Sequence, residues 1–566
     1  MNHLRWNLLP PIPAEYPINT YGLAPLTAQL LYNRGLTEPS QIEQFIAADK
    51  RLSGDPWLLP DIHQAVARIY QALLSGENIA AYGDFDADGI TGTALLVQGL
   101  KALTWPSERN CDKGIWEGHG LNSTALEHLQ QQGISLVITV DCGITGIPQA
   151  KKAKGEGLDI VITDHHTPLD ELPQAIAVID PKRADSEYPF SELAGVGVAF
   201  KLIQALYQSM GKEKQLDQML DLVALGTVAD MMPLLGENRY LVKQGLRLMS
   251  NEPRLGIREM TTLAGLSIDS LSAEDISWVL APRLNAAGRL EHALTSYKLM
   301  LTDSLEEARG LALLLEERNA ERQRLTTKAL AKAREQILGK GILPLLIASD
   351  TDYPPGIIGL VAGKLTDEFY RPSVVIKVGD RFSSGSCRSI PEFNIIRAIN
   401  QCCSLLSHFG GHPRAAGFTL PTKNLFRLEQ QLVQLAATQL AGLDLRPKLD
   451  IDAQVTLNEL GGSTFQTIQK LAPFGQGNPL PTFLSRNVRV AECQAMGNNG
   501  EHLRLKLKQN SITWDAVAFR LGGYLSEVHS AIDVVYNLKL EHWGGEERLR
   551  LNILDLAPTN QTGSKY

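Results

Sequence analysis

The chain has 566 residues, of which 44% are hydrophobic and 20% are charged, and its formal net charge is −8. This length is too great for one hydrophobic core and indicates roughly three to four domains. The negative charge argues against a protein coated with nucleic acid, but it allows a local basic channel, because acidic clusters lower the total.

The composition and the N-terminal residues lead us to expect a cytoplasmic protein. The sequence has no apolar run close to the ~18 residues that a membrane-spanning helix needs. Residues 1–13 contain prolines and lack the basic-then-apolar pattern of a secretory signal. The six cysteines show neither a C-x-x-C pair nor disulfide spacing, so we expect reduced thiols.

The first half of the chain alternates between predicted helices and short buried strands. Residues 1–50 form a proline-punctuated N-terminal extension, and residues 51–250 form an α/β domain. Helices are predicted at Ala65–Leu74, Gly92–Leu103, Val198–Met210 and Gln218–Val228, and strands at Ile79–Tyr82, Leu136–Val140, Ile160–Thr163 and Ala175–Ile179. Short strands separated by helices predict a mostly parallel sheet built from βαβ units.

The second half begins with a predicted helical connector, residues 251–340. Its longest helix covers Asp303–Gly339, with Ser304 and Glu307 as a capping box. Strands at Ile342–Ala348 and Ser373–Val378 open a second α/β unit, residues 341–445. From 446 to 558 apolar residues alternate with polar ones between Gly and Asn turns, which predicts an antiparallel domain, a small β-barrel. We expect residues 559–566 to be disordered.

Acidic or imidazole side chains follow several of these apolar segments. The segments read Y-G-D-F-D-A-D-G, V-D-C-G, T-D-H-H and A-D-M-M-P. In an α/β domain the carboxyl ends of the strands are where ligands bind, so these side chains are expected to converge. They supply oxygen and imidazole ligands sufficient for two divalent ions, Mn²⁺ or Mg²⁺: Asp84, Asp86, Asp88, Asp141, His165, His166 and Asp230.

The local pattern also predicts how these side chains are presented. Asp86 and Asp88 are expected to flank one site from a turn, and Gly89 to let the backbone turn tightly. His165 and His166 are expected to point in different directions on extended backbone. Asp180 in I-D-P-K is either a further site residue or a turn former beside Pro181.

Taken together, the motifs resemble those of the DHH phosphoesterase superfamily, and their order and spacing resemble the RecJ family of single-strand-specific exonucleases. The resemblance covers nearly the whole chain. It extends to four later motifs, at Ala281–Leu290, Ser386–Asn394, Phe409–Phe418 and Pro473–Phe483. It implies a two-lobed α/β fold in which DHH and DHH-associated domains are joined by a long helix and followed by an OB-like barrel.

The resemblance also implies a role for each acidic or imidazole group. Asp86 and Asp88 would ligate the two metal ions and Asp141 would bridge them, while His165 and Asp230 would complete the shell of the second ion. His166 would meet the scissile phosphate, and Asp84 would support the catalytic site from outside the ligand shell. Many relatives have a histidine where this chain has Tyr82, so the first ion lacks that ligand.

Candidate nucleic-acid groups lie in the second half of the chain. The family motifs supply Arg283, Asn285, Arg289, Arg388, Ser389, Gly410, Gly411 and His412. Independently of the family, the strand His502–Lys508 alternates basic and leucine residues, so Arg504, Lys506 and Lys508 share one face. A basic strip on a small barrel suits a single strand, although it is also what a plain amphipathic strand shows. We expect Trp514 and Phe519 to fill the core.

One segment departs from the family pattern. Residues 104–118 read T-W-P-S-E-R-N-C-D-K-G-I-W-E-G, where relatives have an apolar strand followed by a basic residue. Burying these charges in a strand would be costly. The family's basic contact near the site is therefore absent, with Arg109 and Lys113 as the nearest substitutes.

The leading hypothesis is a metal-dependent exonuclease that degrades single-stranded DNA from the 5′ end to mononucleotides, in recombination and repair. Its expected partners are single-stranded DNA, a helicase and a single-strand-binding protein, and we expect a monomer. One alternative is a phosphodiesterase for oligoribonucleotides or cyclic dinucleotides, although such relatives usually lack the C-terminal barrel. The other is a replication scaffold that binds DNA without cutting it.

Overall fold

The structure is a computed structural model of the chain. The residues it describes are 4–13, 16, 23–103, 120–290, 292–497, 499–528, 530–543 and 546–559. The atypical segment 104–118 lies outside the described residues, as does most of the tail expected to be disordered. Among the described residues, no helix has both the length and the apolar character that crossing a membrane requires.

The first α/β unit is built on a parallel sheet of four strands in the order β2-β3-β4-β5. The strands run continuously apolar because helices cover both faces of the sheet. In chain order the elements are β1 Arg5–Leu8, α1 Pro25–Asn33, α2 Pro39–Ala47, α3 Ile62–Ser75, β2 Ile79–Gly83, α4 Ala87–Lys101, α5 Ser123–Gln131, β3 Leu136–Val140, α6 Ile147–Gly155, β4 Asp159–Thr163, β5 Ala177–Ile179, α7 Gly195–Met210, α8 Leu220–Ala229 and α9 Gly236–Asn251.

The helical connector follows this sheet and ends in a helix of 36 residues. Ser304 caps that helix by accepting from the Glu307 N–H, whereas the Glu307 carboxylate accepts from the Thr302 hydroxyl instead of completing the predicted box. The elements are α10 Leu255–Leu263, α11 Ala273–Asp275, a π-helical turn Ile276–Leu280, α12 Ala281–Leu290, α13 Leu294–Leu301 and α14 Leu305–Lys340.

The second α/β unit carries a five-stranded sheet in the order β6-β7-β8-β10-β9. Only β6 and β7 pair in parallel; β8, β10 and β9 continue the sheet as antiparallel strands. Strand β9 lies at the open edge. The elements are β6 Leu346–Asp350, α15 Ile358–Phe369, β7 Ser373–Lys377, β8 Phe382–Arg388, α16 Ile395–Gln401, β9 His408–His412, β10 Ala415–Pro421 and α17 Leu425–Gln439.

The C-terminal unit is the predicted small barrel. Its sheet order is β12-β13-β14-β15-β17-β16, and a further pairing between β13 and β16 closes it. The barrel is not wholly antiparallel, because β15 pairs with β17 in parallel. The elements are β11 Lys448–Ile451, β12 Ala453–Gln454, α18 Gly462–Gln469, β13 Phe483–Met496, β14 His502–Gln509, β15 Ile512–Ala518, β16 Ala531–Trp543 and β17 Glu546–Pro558.

The N-terminal segment packs against this distant barrel. Strand β1 pairs in parallel with β11, and Leu30, Leu31 and Phe45 share one hydrophobic core with the barrel. Arg239 of α9 is fully buried at the same junction, where it donates to the backbone oxygens of Phe45 and Ala472. The predicted N-terminal extension is therefore an integral part of the C-terminal half, a long-range contact that periodicity does not reveal.

Candidate metal centre and nucleic-acid groups

The carboxyl ends of the parallel strands gather the predicted acidic residues at one edge of the sheet. Asp84 follows β2, Asp141 follows β3, and Asp164, His165 and His166 follow β4. Asp230 reaches the same place from the end of α8. Parallel strands present their carboxyl ends together, and this is why residues far apart in sequence meet here.

The first acidic motif does not form the turn that we expected. Helix α4 starts at Ala87, five residues before the predicted start, so Asp88 lies in its first turn. Asp86 is the N-cap and accepts from the N–H groups of Asp88 and Gly89. Gly89 serves a close approach instead of a turn, because a Cβ there would lie 2.3 Å from the Asp84 backbone oxygen.

Asp88 is held by the N-terminus of another helix. Its carboxylate is 1% exposed and accepts from the backbone N–H groups of Gly195 at 2.7 Å and Val196 at 2.8 Å. Those groups open α7, where the helix dipole favours a negative charge. Gly195 allows this contact, since a Cβ at that position would lie 2.5 Å from the Asp141 Cβ. Sequence reasoning missed Gly195; the A-G-V-G run before an apolar helix was the available signal.

His165 lies at the centre of the carboxylate cluster. The side chain is buried, and its Nε2 atom approaches three carboxylates: 3.0 Å to Asp141 Oδ1, 3.6 Å to Asp230 Oδ2 and 3.9 Å to Asp88 Oδ2. Burial and the neighbouring His166 lower the pKa of His165 to about 3. It is therefore a neutral imidazole near neutral pH, the form that ligates a metal.

His166 lies beside His165, with ring centroids 4.6 Å apart, and is oriented by Asp164. Its Nδ1 lies 2.8 Å from Asp164 Oδ1, and its side chain is 46% exposed. The hydrogen bond to Asp164 raises the pKa of His166 to about 9. Asp164 itself is buried and accepts from the Ile144 N–H at 2.9 Å. Asp164 was not among the predicted site residues, although it is the first residue of the D-H-H motif.

Two sets of side chains can hold a metal ion. One contains Asp88, His165 and Asp230, and the other contains Asp141, His165 and His166; in each set the ligand atoms lie within 4.8 Å of one another. Burial and mutual repulsion raise the pKa values of Asp88 and Asp141 well above normal. A buried cluster of carboxylates and a neutral imidazole fits divalent ions, because the ions would offset this repulsion.

Three other residues of this region have distinct surroundings. Burial and Asp86 raise the pKa of Asp84 to about 7. Asp180 forms a turn by accepting from the Lys182 N–H, but its second carboxylate oxygen is buried and has no hydrogen-bond partner. Tyr82 is buried in a core on the sheet's other side and donates its hydroxyl to the Gly120 oxygen, so it does not replace the missing histidine ligand.

Comparison with known proteins agrees with this geometry. Three family models match the chain: the DHH family N-terminal domain over residues 78–227, the DHHA1 domain over 343–438 and the RecJ OB domain over 451–555. A single-stranded-DNA-specific exonuclease RecJ of Salmonella typhimurium is 32% identical, with 96% of this chain and 97% of that protein covered. The corresponding Bacillus subtilis protein is 35% identical, with 94% and 68% covered.

The chain belongs to the RecJ family. The crystal structure of RecJ from Thermus thermophilus in complex with Mn²⁺ matches with a TM-score of 0.84 and 29% identity, covering 99% of this chain and 80% of that one. The same protein in complex with Mg²⁺ matches with a TM-score of 0.79 and 27% identity, covering 99% and 79%. The predicted fold, two α/β lobes and an OB-like barrel, is confirmed.

The helical connector contacts the metal loop through a RecJ-family motif. The Ala87 N–H donates to the side-chain oxygen of Asn285 at 2.7 Å, and a Cβ at Gly288 would lie 2.6 Å from the Phe85 oxygen. The side-chain oxygen of Asn285 positions the start of α4, and its predicted contact with nucleic acid stays a prediction. Arg283 pairs with Glu316 at 2.6 Å on α14.

Arginines of the connector and of the second α/β unit lie close together near the first acidic motif. Burial lowers the pKa values of Arg289 and Arg388, and the nearby Arg388 guanidinium lowers the pKa of Arg289 further. Arg322 of α14 joins them, since Arg289 and Arg283 help to lower its pKa after burial. Ser389 differs from expectation, because its hydroxyl is buried and donates to the Phe393 oxygen. Sequence reasoning missed Arg322, which looked like one charge among many on a long helix.

The glycine motif and the barrel present their groups at the surface. Gly410, Gly411 and His412 are exposed on the edge strand β9. On β14 the predicted alternation holds: the three leucines are buried, and Arg504, Lys506 and Lys508 lie on the other face. Lys506 pairs with Glu492 at 2.9 Å.

The two aromatic residues near the basic strand differ in burial. Trp514 packs against the barrel core and donates its indole N–H to the Leu457 oxygen. Phe519 is 47% exposed, contrary to the expected core position. It makes an edge contact with His502 and lies under the Arg550 guanidinium.

Proposed function

We propose that this protein is a metal-dependent exonuclease that degrades single-stranded DNA from the 5′ end to mononucleotides. The observation that carries the proposal is the buried cluster of Asp88, Asp141, His165 and Asp230 at the carboxyl edge of the sheet. Its relatives bear the name of single-stranded-DNA-specific exonuclease and cover nearly the whole of this chain.

The residues present would hold two divalent ions, Mn²⁺ or Mg²⁺. Crystal structures of RecJ contain either ion. Such ions, when bound, activate water and stabilise the charge that develops on phosphate oxygens during in-line displacement. Asp88, His165 and Asp230 would hold one ion, and Asp141 would supply a carboxylate to the other. Asp86 fixes the start of α4 through Oδ1, which accepts from the N–H groups of Asp88 and Gly89, and its Oδ2 atom would be the one that ligates.

The protein's own groups orient the substrate. His166 is protonated near neutral pH because Asp164 raises its pKa to about 9, so its free Nε2–H can donate to a phosphate oxygen of the scissile bond. Asp164 holds the ring through Nδ1, which fixes the direction of that donor. The Ile144 N–H in turn fixes Asp164, so the donor is in place before substrate arrives.

The arginines suit the phosphate at the end of the strand. Arg289 comes from the connector and Arg388 from the second α/β unit, and Asp86 raises the pKa of Arg289 against the effect of burial. A guanidinium offers two parallel donors to a phosphate, and two of them would discriminate a terminal phosphate from an internal one. This supports attack on the first phosphodiester from the 5′ end.

The proposal has further parts that concern partners and location. A helicase that opens duplex ends and a single-strand-binding protein would supply the substrate, and we propose that the enzyme acts as a monomer in the cytoplasm. The free state of the five described cysteines supports a reducing compartment. Light scattering tests the monomer, and co-purification with single-strand-binding protein tests the partner.

An assay with strands labelled at either end tests the function. Single-stranded DNA, a matched duplex and a short RNA are incubated with the protein and Mn²⁺. Release of labelled mononucleotide from the 5′ end of the single strand is expected, with the duplex and the RNA left intact. Release from the 3′ end first would contradict the polarity. Binding without release would favour the scaffold alternative, and degradation of the RNA alone would favour the oligoribonucleotide phosphodiesterase.

A further inference from the structure

A cavity of about 360 Å³ lies between the end of α8, the connector and the barrel. One wall is formed by the end of α8 and the residues after it, including Met231. A second wall is the π-helical turn with Trp278, and a third comes from the barrel strands with Lys539 and Asn552. The volume falls in the range of small-ligand sites.

Two large apolar side chains lie open to this cavity. Trp278 is 76% exposed and Met231 is 65% exposed. Single exposed apolar residues are common on proteins, but two that line the same cavity form a patch, and such patches mark binding surfaces. Neither side chain is needed for the core, so their placement calls for another explanation.

Met231 occupies a backbone conformation that favours glycine. Its φ is +57°, and it follows the C-cap of α8 in a Schellman turn, with hydrogen bonds from the Met231 N–H to the Val228 oxygen and from the Met232 N–H to the Thr227 oxygen. A side chain is disfavoured in this conformation. The chain nevertheless places a flexible, polarisable thioether there, next to the metal-site residue Asp230.

Trp278 lies in an equally unusual segment. Residues Ile276–Leu280 form a π-helical turn, a rare element that is frequent at functional sites. The chain continues directly into α12, whose Asn285 and Gly288 contact the loop of the first acidic motif. The tryptophan is thus connected to the metal centre by one short helix.

The cavity is bounded on the barrel side by an ion pair. Lys539 of β16 donates to Glu274 of α11 at 2.5 Å, which joins the barrel to the connector and leaves the cavity without a free charge from this pair. The apolar walls and the paired charge do not suit a phosphate. They suit a flat, uncharged group that is attached to a phosphate, as a nucleobase is in a DNA strand.

We infer that Trp278 and Met231 form a nucleobase-binding face for the single strand on its way between the barrel and the metal centre. The inference rests on the proposed function. An exposed indole can stack on any base, so such a face is tolerant of sequence, as an exonuclease that moves along a strand requires. Met231 directly follows Asp230, a residue of the metal-holding cluster, so a strand whose phosphate reaches that cluster would bring a base to this cavity.

Binding to an uncleavable complex tests this inference without relying on catalysis. In an Asp141→Ala background, fluorescence anisotropy compares an ordinary labelled strand with a strand of equal length made of abasic residues. Trp278→Ala is expected to weaken binding of the ordinary strand roughly 5- to 150-fold, the range for one base–aromatic stack. On the abasic strand the same substitution is expected to change binding less than about twofold, since no base can stack.

Three variants control for the fold. Trp278→Phe keeps an aromatic face and should retain most of the affinity for the ordinary strand. Met231→Gly relieves the left-handed backbone and removes the Met231 side chain from the wall opposite Trp278, so it should fold at least as well and still bind the ordinary strand more weakly. Phe426→Ala removes a side chain that is 68% exposed on α17 and does not line the cavity. It should leave the affinity for both strands unchanged.

The outcomes separate this inference from the proposed function. A loss with Trp278→Ala that is equal on both strands would overturn the stacking role and leave a structural one. No loss on either strand would also overturn it. If the parent protein binds single strands in this base-dependent way yet never cleaves them, the exonuclease proposal fails while the nucleobase face stands.

Discussion

The metal centre and the basic strand of the barrel carry opposite charge in opposite surroundings. Asp88 and Asp141 are 1% and 4% exposed, and their pKa values are raised by burial and by neighbouring carboxylates. On β14, Arg504 and Lys508 stand exposed on one face of a strand whose leucines fill the barrel. One region depends on fixed atoms in a low dielectric, and the other on charges that water and salt screen.

Because of this difference, substitutions in the two regions should affect different steps. A change at the metal centre removes a group that the surrounding backbone has been arranged to hold, so its cost falls on catalysis. A change on the barrel removes one screened contact among several, so its cost falls on binding and varies with salt. A metal-centre substitution that mainly weakened binding, or a barrel substitution that mainly slowed catalysis, would contradict this assignment of roles.

The largest effect is expected from Asp141→Ala. Asp141 lies 3.0 Å from His165 Nε2 and belongs to a metal-holding set, so its loss should lower cleavage of single-stranded DNA by more than about a hundredfold. Binding of the strand should remain measurable by anisotropy, because the barrel is unchanged. Asp170→Ala, which removes an exposed carboxylate after the D-H-H motif, is the matched control and should retain activity. Cleavage retained by Asp141→Ala would refute the two-metal assignment.

A smaller effect is expected from Asp164→Asn, because Asp164 acts through His166. The amide keeps the shape but loses the charge that orients and protonates the imidazole, and such supporting groups typically contribute about 10- to 100-fold. We therefore expect kcat/KM to fall within that range. The pKa of His166, followed by NMR in the metal-free protein, should fall from about 9 toward its ordinary value. An unchanged His166 titration would show that Asp164 has only a packing role.

The metal-free protein should depend on pH in a way that metal removes. Burial raises the pKa values of Asp84 and Asp230 to about 7, well above those of the unfolded chain. A carboxyl group with a raised folded pKa favours the folded state at low pH, and this contribution is lost as pH rises through about 7. The temperature at the midpoint of thermal unfolding of the metal-free protein should therefore decrease as the pH is raised from 6 to 8.

Divalent metal should reverse this loss. Metal binds the deprotonated carboxylates, so saturating Mn²⁺ should raise the unfolding midpoint more at pH 8 than at pH 6. Differential scanning calorimetry in the presence and absence of chelator measures both arms. Asp141→Ala serves as the control and should show a much smaller Mn²⁺ shift. An equal shift at both pH values would contradict the assignment of the acidic cluster as the metal site.

The sequence predicted the elements at the metal centre better than their exact local form. Apolar runs that stop at Asp141 and at the D-H-H motif identify buried parallel strands, and the topology then brings their ends together. The start of α4 was missed because Asp86 works as a helix cap, and D-x-D reads equally well as a turn. Whether a carboxylate caps a helix or points at a metal depends on backbone angles that the motif does not contain.

Contacts between distant segments were the least predictable. Ser389 looked available for phosphate, and only the fold shows that its hydroxyl is already donated to Phe393. The pairing of β1 with β11 joins residues more than four hundred positions apart, and no local pattern encodes it. Trp278 likewise reads as an ordinary apolar residue of a helix, because its exposure depends on the π-helical turn and the barrel opposite.

The smallest effects are expected from substitutions on the barrel, and they test most directly whether the barrel acts on binding alone. Arg504→Ala and Lys508→Ala should each weaken binding of single-stranded DNA modestly and reduce the slope of log affinity against log salt by about 0.7, the value for one phosphate contact on a single strand. Lys506→Ala should change the slope less, because Lys506 already pairs with Glu492 at 2.9 Å. These three variants share one strand and one face, so local folding is matched among them.

Catalysis provides the contrast for the same three variants. With saturating substrate, kcat should stay within about twofold of the parent, because a screened charge far from the metal centre does not stabilise the transition state. The contrary result would be that Arg504→Ala lowers kcat and leaves the slope of log affinity against log salt unchanged. That result would show that the barrel acts on catalysis and would contradict separate roles for the two regions. Glu492→Ala extends the test: freeing Lys506 from its partner should increase the salt slope, an outcome that only a nucleic-acid-facing strand predicts.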